Sequence, residues 1–217
     1  MSPELTRLLV QATLDTLQMV AVAASLGTLV GLPLGVFLAT SGRGELLAAP
    51  WANRVLGLVV NATRSTPFII LVVAIIPFTR AIAGTSIGTS AATVPLTVAA
   101  IPFIARLVEG AVREVDGGLV EAARAFGASP LQIVLKVLIP EALPGIVLGL
   151  TLAVVSLIGF SAMVGAVGGG GLGDLGIRYG YQRYITEVMV AVVVILIVFV
   201  QAVQSFGDWL VRRISHR

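Results

Sequence analysis

The sequence has no cysteine, one histidine (His216) and one lysine (Lys136). Without cysteine there is no disulfide, no thiolate nucleophile and no cysteine-ligated metal. A single histidine beside the C-terminus cannot build a Ser–His–Asp triad or a multi-histidine zinc site within one copy. Charge is scarce too: Asp, Glu, Lys and Arg make up 12% of 217 residues, against about 25% in an average soluble domain. The net charge of +3 does not suggest a nucleic-acid partner. The phosphate-loop pattern G-x-x-x-x-G-K-[ST] is missing, because its lysine would have to be Lys136 and no such glycine spacing precedes it. The chain is therefore not expected to be an enzyme or to bind ATP itself.

What remains is apolar. Hydrophobic residues are 57% of the chain, and the mean hydropathy is +1.03. Residues 16–42, 81–105, 142–173 and 188–207 contain no charged side chain, and 55–79 contains only Arg64. A bilayer span takes roughly 20 mostly apolar residues. The runs are continuous rather than alternating, which selects helices over a β-barrel. The expectation is an all-α membrane protein, one domain over residues 1–217. Five transmembrane helices are predicted at about 14–41, 55–79, 91–112, 142–165 and 187–210, with loops over 84–90 and 113–140. The first run is longer than a secretory h-region of about 7–15 residues and has no basic n-region before it. It is read as a retained span.

Basic residues near span ends set orientation. With the C-terminus inside, the inner side holds Arg43, Arg54, Arg64, Arg106, Arg113, Arg124, Lys136, Arg212, Arg213 and Arg217; the outer holds Arg7, Arg80, Arg178 and Arg183. That bias places the N-terminus outside and the 113–140 loop in the cytoplasm. Trp51 and Trp209 then mark the inner interface, and Tyr179, Tyr181 and Tyr184 the outer one.

Some polar and breaking residues fall within the spans. Pro33, Pro67, Pro77, Pro95, Pro102 and Pro144 each remove a donor and can kink a helix; a moving bundle and a static one both accommodate them. Arg106, Glu109 and Arg113 have the i,i+3 and i,i+4 spacing that lets them neutralise one another, near an end where long side chains snorkel. Arg64 is expected to snorkel similarly. Asp15 and Glu187 fall at outer span ends, and Glu141 in the first turn of the fourth span, where the helix dipole favours a carboxylate. Gly168, Gly170 and Gly173 match G-x-G-x-x-G, but no strand–helix unit surrounds them; the run reads either as a flexible outer loop or as a close-packing segment. Ser156, Ser161 and Met163 on the fourth span are the candidate pathway residues. Met163, between an apolar helix and the glycine run, is either a soft gate closed by two copies or a core side chain.

The 113–140 loop carries the most local information. Residues 119–126 lack breakers and stop at Gly127. Ser129, Pro130 and Gln132 make a Ser-x-x-Gln capping box with proline at the first helical position, and the helix so begun should end before Pro140. The first short helix presents Leu119, Ala122, Ala123 and Phe126 at helical spacing. On spacing alone, that face suits either a partner's groove or the chain's own bundle.

Glu121-Ala122-Ala123, three residues, Gly127, nine residues and then Val137-Leu138-Ile139-Pro140 resemble the EAA signature of ATP-binding-cassette importer permeases. Val137 and Ile139 stand where that pattern has Ile and Leu. The runs RSTPFIILVVAIIPFTR (64–80), GTSIG (84–88), VPLT (94–97), PFIARLVE (102–109) and SAMVGAVGGGGLGDLG (161–176) narrow the resemblance to the methionine importer permeases. It implies a type I importer permease fold in the bacterial inner membrane that pairs as a homodimer with two ATPase subunits and an external methionine-binding protein. It also implies that Glu121, Ala122, Ala123, Phe126, Gly127 and Pro140 belong to the ATPase coupling segment. No cofactor is expected in this chain, ATP and Mg belonging to the ATPase, and L- and D-methionine are the expected substrates. The alternatives are a permease of the same type for another solute and an ion-coupled secondary transporter.

Overall fold

A computed structural model describes residues 3–215; His216 and Arg217, both used above, lie outside the described residues. The elements run α1 (Pro3–Thr40), α2 (Pro50–Ser65), α3 (Phe68–Ala74), α4 (Ile76–Ala83), α5 (Thr89–Arg113), α6 (Gly117–Ala125), α7 (Pro130–Ile133), a π-helical turn (Val134–Leu138), α8 (Ile139–Ala166), α9 (Gly171–Leu175), a second π-helical turn (Gly176–Tyr181) and α10 (Thr186–Ile214). No strand occurs among the described residues.

Four helices are long and apolar enough to cross a membrane: Pro3–Thr40, Thr89–Arg113, Pro130–Ala166 and Thr186–Ile214. The second expected span is the exception. It is bent by 104° between α2 and α3, so the total reaches five only if that pair counts as one. The cause is local. Pro67 offers no N–H and disfavours helical dihedrals at Thr66, which sits at φ −82°, ψ 125°. Pro33, Pro95, Pro102 and Pro144 are carried inside intact helices.

Packing is organised on α1. Gly27, Gly31 and Gly35 recur every fourth residue, so they share one face. That face lies against α5 with no room for a side chain. A methyl at Gly27 would come within 2.6 Å of Ala100 Cβ, and one at Gly31 within 2.8 Å of the Ile101 carbonyl oxygen. At Gly35 it would meet Val108 Cβ at 2.7 Å. Leu96, Ala100, Ile104, Ala105 and Val108 on α5 are all buried. Helices in lipid gain little from the hydrophobic effect between them, so close backbone approach supplies the association.

The glycine run over 168–173 is the close-packing segment of the two alternatives. Gly171 leaves 2.6 Å between an added methyl and both Met19 Cε and Thr16 Oγ1 of α1. Thr16 Oγ1 in turn accepts the Leu172 N–H at 2.9 Å, and Gly173 abuts the Ala162 backbone of α8.

The two ends of the bundle separate cleanly. Leu8, Gln11 and Asp15 of α1 share one cavity with Gly88, Gly170, Asp174 and Arg178. At the other end Thr40, Gly44 and Glu45 share a cavity with Arg113, Glu121, Arg124 and Leu138. Asp15 keeps its place at the first end although α1 begins well before the expected residue 14. The helix begun at Ser129 does not end before Pro140: α7, the π turn and α8 form one helix of 37 residues. The π turn absorbs the missing proline donor by passing the Ile139 N–H to the Val134 carbonyl. Glu141 therefore lies inside a continuous helix, and the helix-terminus rationale for it no longer applies.

Enlarging the α1 face tests this packing. Gly31→Leu should lower the melting temperature of the detergent-solubilised protein, since overpacking typically costs about 1–3 kcal/mol. Gly110→Ala on α5, where an added methyl meets open space, should leave it unchanged or slightly raised.

Candidate functional site

The loop after α5 folds as its caps dictate. Asp116 caps α6 by accepting the Gly118 N–H at 2.8 Å. At the far end Gly127 takes φ +76°, its N–H bonds the Arg124 carbonyl, and the Ala128 N–H bonds the Ala123 carbonyl. That reversal needs a left-handed residue, which glycine supplies. The Ser129–Gln132 capping box forms in both directions.

These caps hold α6 on the surface. None of its residues is fully buried. Leu119, Glu121, Ala122 and Phe126 face outward, and Phe126 is 92% exposed. Val120 and Ala123 instead pack against the bundle core. The helical face is thus divided: Ala123 packs inward, and Leu119, Ala122 and Phe126 stay exposed. Leu131 and Leu135 extend that apolar surface, and Pro140 is exposed farther along the same helix.

The candidate pathway residues divide. Ser156, Phe160 and Met163 follow i, i+4, i+7 spacing on α8 and share a face. Met163 is 48% exposed. Ser161 is 1% exposed and donates to the Ile158 carbonyl at 2.7 Å, away from that face. Phe160 stacks on Phe68 of α3 at 4.5 Å between centroids. Beside this pair opens a cavity of about 290 Å³ lined by Thr63, Arg64, Phe68, Phe103 and Phe160 among others. None of Phe68, Phe103 and Phe160 stood among the sequence candidates, although the Ser156–Phe160–Met163 spacing was there to read.

Glu109 is the buried carboxylate, 6% exposed. It lies 2.5 Å from Arg106 Nη1 and 2.8 Å from Arg113 Nη2, the mutual neutralisation expected from the spacing. Arg106 Nη2 also donates to Asn61 Oδ1 at 2.8 Å and to the Gly57 carbonyl at 3.3 Å, and Arg113 Nη2 to the Leu38 carbonyl at 3.5 Å. The cluster pins α5 to α2 and to the end of α1. Arg64, an exposed residue near the end of α2, lines the same cavity as Ala99 and Phe103 of α5.

The described residues thus form an all-helical bundle, with four helices long and apolar enough to cross a membrane and a capped loop helix facing outward. Residues 31–216 match the family of binding-protein-dependent transport system inner membrane components, and the chain belongs to that family. Among curated relatives, a Vibrio cholerae protein described as a probable D-methionine transport system permease protein, MetI, is 58% identical over 97% of this chain and 93% of its own. The Escherichia coli K12 D-methionine transport system permease protein MetI is 52% identical over 76% of each. A chain of the MetNI methionine ABC transporter, solved in inward-facing conformations, superposes with a TM-score of 0.96 at 50% identity over the whole of both chains. An amino acid ABC transporter crystallised with histidines shares the fold, with a TM-score of 0.81 at 20% identity over 96% of this chain and 94% of its own.

Breaking the arginine–glutamate cluster should be costly in one direction only. Glu109→Ala leaves Arg106, whose side chain is 25% exposed, without its carboxylate, and should destabilise by about 1.5–3 kcal/mol. Arg113→Ala, at a side chain 58% exposed, should cost no more than about 1 kcal/mol. Thermal unfolding of the two purified variants compares them.

Proposed function

We propose that this chain is the membrane-spanning permease subunit of an ATP-binding-cassette importer that carries methionine, L- and D-, across the bacterial inner membrane. The full-length match to a chain of a methionine ABC transporter carries the reading. The outward face of α6 fits it chemically. Two copies form the pathway, two ATPase subunits bind ATP and Mg, and an external methionine-binding protein delivers substrate. The excess of basic residues at the Arg113–Arg124 end supports a cytoplasmic position for that end and an outside N-terminus.

The coupling step follows from how α6 is mounted. Glu121, Ala122 and Phe126 face the ATPase cleft, and Phe126 is the anchor, a rigid aromatic with nearly all of its surface free. Val120 and Ala123 tie α6 back to the bundle, and Gly127 and the Ser129 cap lead directly into the helix of residues 130–166. At 1.5 Å per residue, that helix is a lever of about 55 Å. Its inner end sits beside the ATPase and its outer half carries Met163. When ATP closes the two ATPases, displacement of α6 swings the lever and parts the Met163 side chains of the two copies, so access alternates between the two sides.

ATP-dependent uptake of labelled methionine by proteoliposomes holding this chain, its ATPase and the binding protein tests the reading. Glu121→Lys should abolish uptake. Phe126→Ala should weaken assembly with the ATPase roughly 30-fold, the equivalent of an interface anchor of about 2 kcal/mol, without lowering the melting temperature of the permease alone. Uptake that proceeds with no ATPase present would instead overturn the importer reading and favour the ion-coupled alternative.

A further inference from the structure

The cavity at the break between α2 and α3 has a composition that the bundle does not need. It measures about 290 Å³, just below the roughly 300–1,000 Å³ of ligand sites. Phe103 and Phe160 form apolar walls, and Phe68 stacks on Phe160. One full positive charge, the exposed Arg64, lines this cavity, and no carboxylate lines it. Among the described residues no hydrogen bond or ion pair engages the Arg64 side chain; Glu109, the buried carboxylate, is already held by Arg106 and Arg113. An ionisable side chain within an apolar, span-forming segment marks a substrate or ion path unless a partner neutralises it.

The backbone agrees. Irregular backbone at membrane depth is tolerated where it is buried in protein or lines a cavity, and Thr66 and Pro67, where the helix breaks, both line this one. The hydroxyls of Thr63 and Thr66 have committed their hydrogens, to the Val59 carbonyl at 3.0 Å and the Ala62 carbonyl at 3.2 Å. What they leave are oxygen lone pairs, which can only accept. A cation, two acceptor oxygens and an aromatic wall match a carboxylate, an ammonium and an apolar side chain. Aromatic rings also favour the edge-on approach of a thioether sulfur.

We infer that this cavity is the permease's own substrate subsite. Arg64 receives the carboxylate of a zwitterionic amino acid, the Thr63 and Thr66 oxygens its ammonium, and Phe68, Phe103 and Phe160 its apolar side chain. The assignment rests on the importer reading given above. It places the subsite three residues from Met163 on the same helix, so that gate and subsite lie on one path.

The test uses the complete complex in proteoliposomes with the ATPase and the loaded binding protein. Arg64→Gln should cut the maximal rate of methionine uptake by roughly tenfold or more, the loss of a charge-assisted contact, while assembly with the ATPase and docking of the binding protein persist. Because the chain has no cysteine of its own, Arg64→Cys introduces a single thiol, with the wild-type complex reporting any partner thiols. Modification with an alkylammonium methanethiosulfonate should restore uptake, and the sulfonate analogue should not. Uptake at the wild-type rate in Arg64→Gln, or equal rescue by both reagents, overturns the subsite. So does failure of both variants to assemble, which would give Arg64 a folding role. A wild-type complex that imports no methionine overturns the substrate reading, and the subsite with it; methionine uptake indifferent to Arg64 overturns the subsite alone.

Discussion

The architecture depends on how near α1 comes to α5. Three glycines four residues apart let the two backbones meet at a distance that even alanine would not allow. Lipid tails compete for apolar side chains as well as any neighbouring helix does, so oily surface alone cannot choose a partner helix. Close contact along a whole stripe can, because dispersion falls off steeply with any gap. With α1 seated, the rest takes position. Thr16 and Met19 receive the glycine run after α8, and the end of α1 offers the Leu38 carbonyl to Arg113. The face of α5 turned toward α2 is left to hold Arg106 and the wall of the Arg64 cavity.

A second constraint is the continuity of residues 130–166. Pro140 should stop a helix, yet the π-helical turn before it reassigns the bonds and the helix passes through. Mechanically this matters more than the number of spans. A stop at residue 139 would have left α6 on a hinged loop. A continuous helix runs from the Ser129 cap, directly after α6 and its Gly127 turn, to the Met163 face.

Features with local causes were legible in the chain. The caps at Gly127 and Ser129–Gln132 involve neighbours within a few residues and formed as expected. The Arg106–Glu109–Arg113 cluster follows from helical spacing, although its link to Asn61 on α2 does not. The outward face of α6 was half legible: the period was plain, but whether Ala123 or Phe126 faces the bundle depends on where α5 ends and how the loop leaves it. The break at Pro67 looked like one proline among six. Pro33, Pro95, Pro102 and Pro144 show that the residue alone does not decide, since neighbouring helices re-satisfy freed backbone groups in some places and not in others.

Composition and hydropathy by themselves determined that the chain lives in lipid as helices, because an apolar solvent leaves backbone polar groups no other open-ended arrangement. The spacing of Glu121, Gly127 and Pro140 likewise belongs to the sequence, since caps and turns are short-range. Tertiary structure decided the rest. It turned Ser161 inward and Met163 outward, gave the glycine run a packing role, and set Arg64 beside an aromatic cavity. Each of these depends on which helices face one another, and in a chain apolar on nearly every side the local pattern carries too little contrast to specify that.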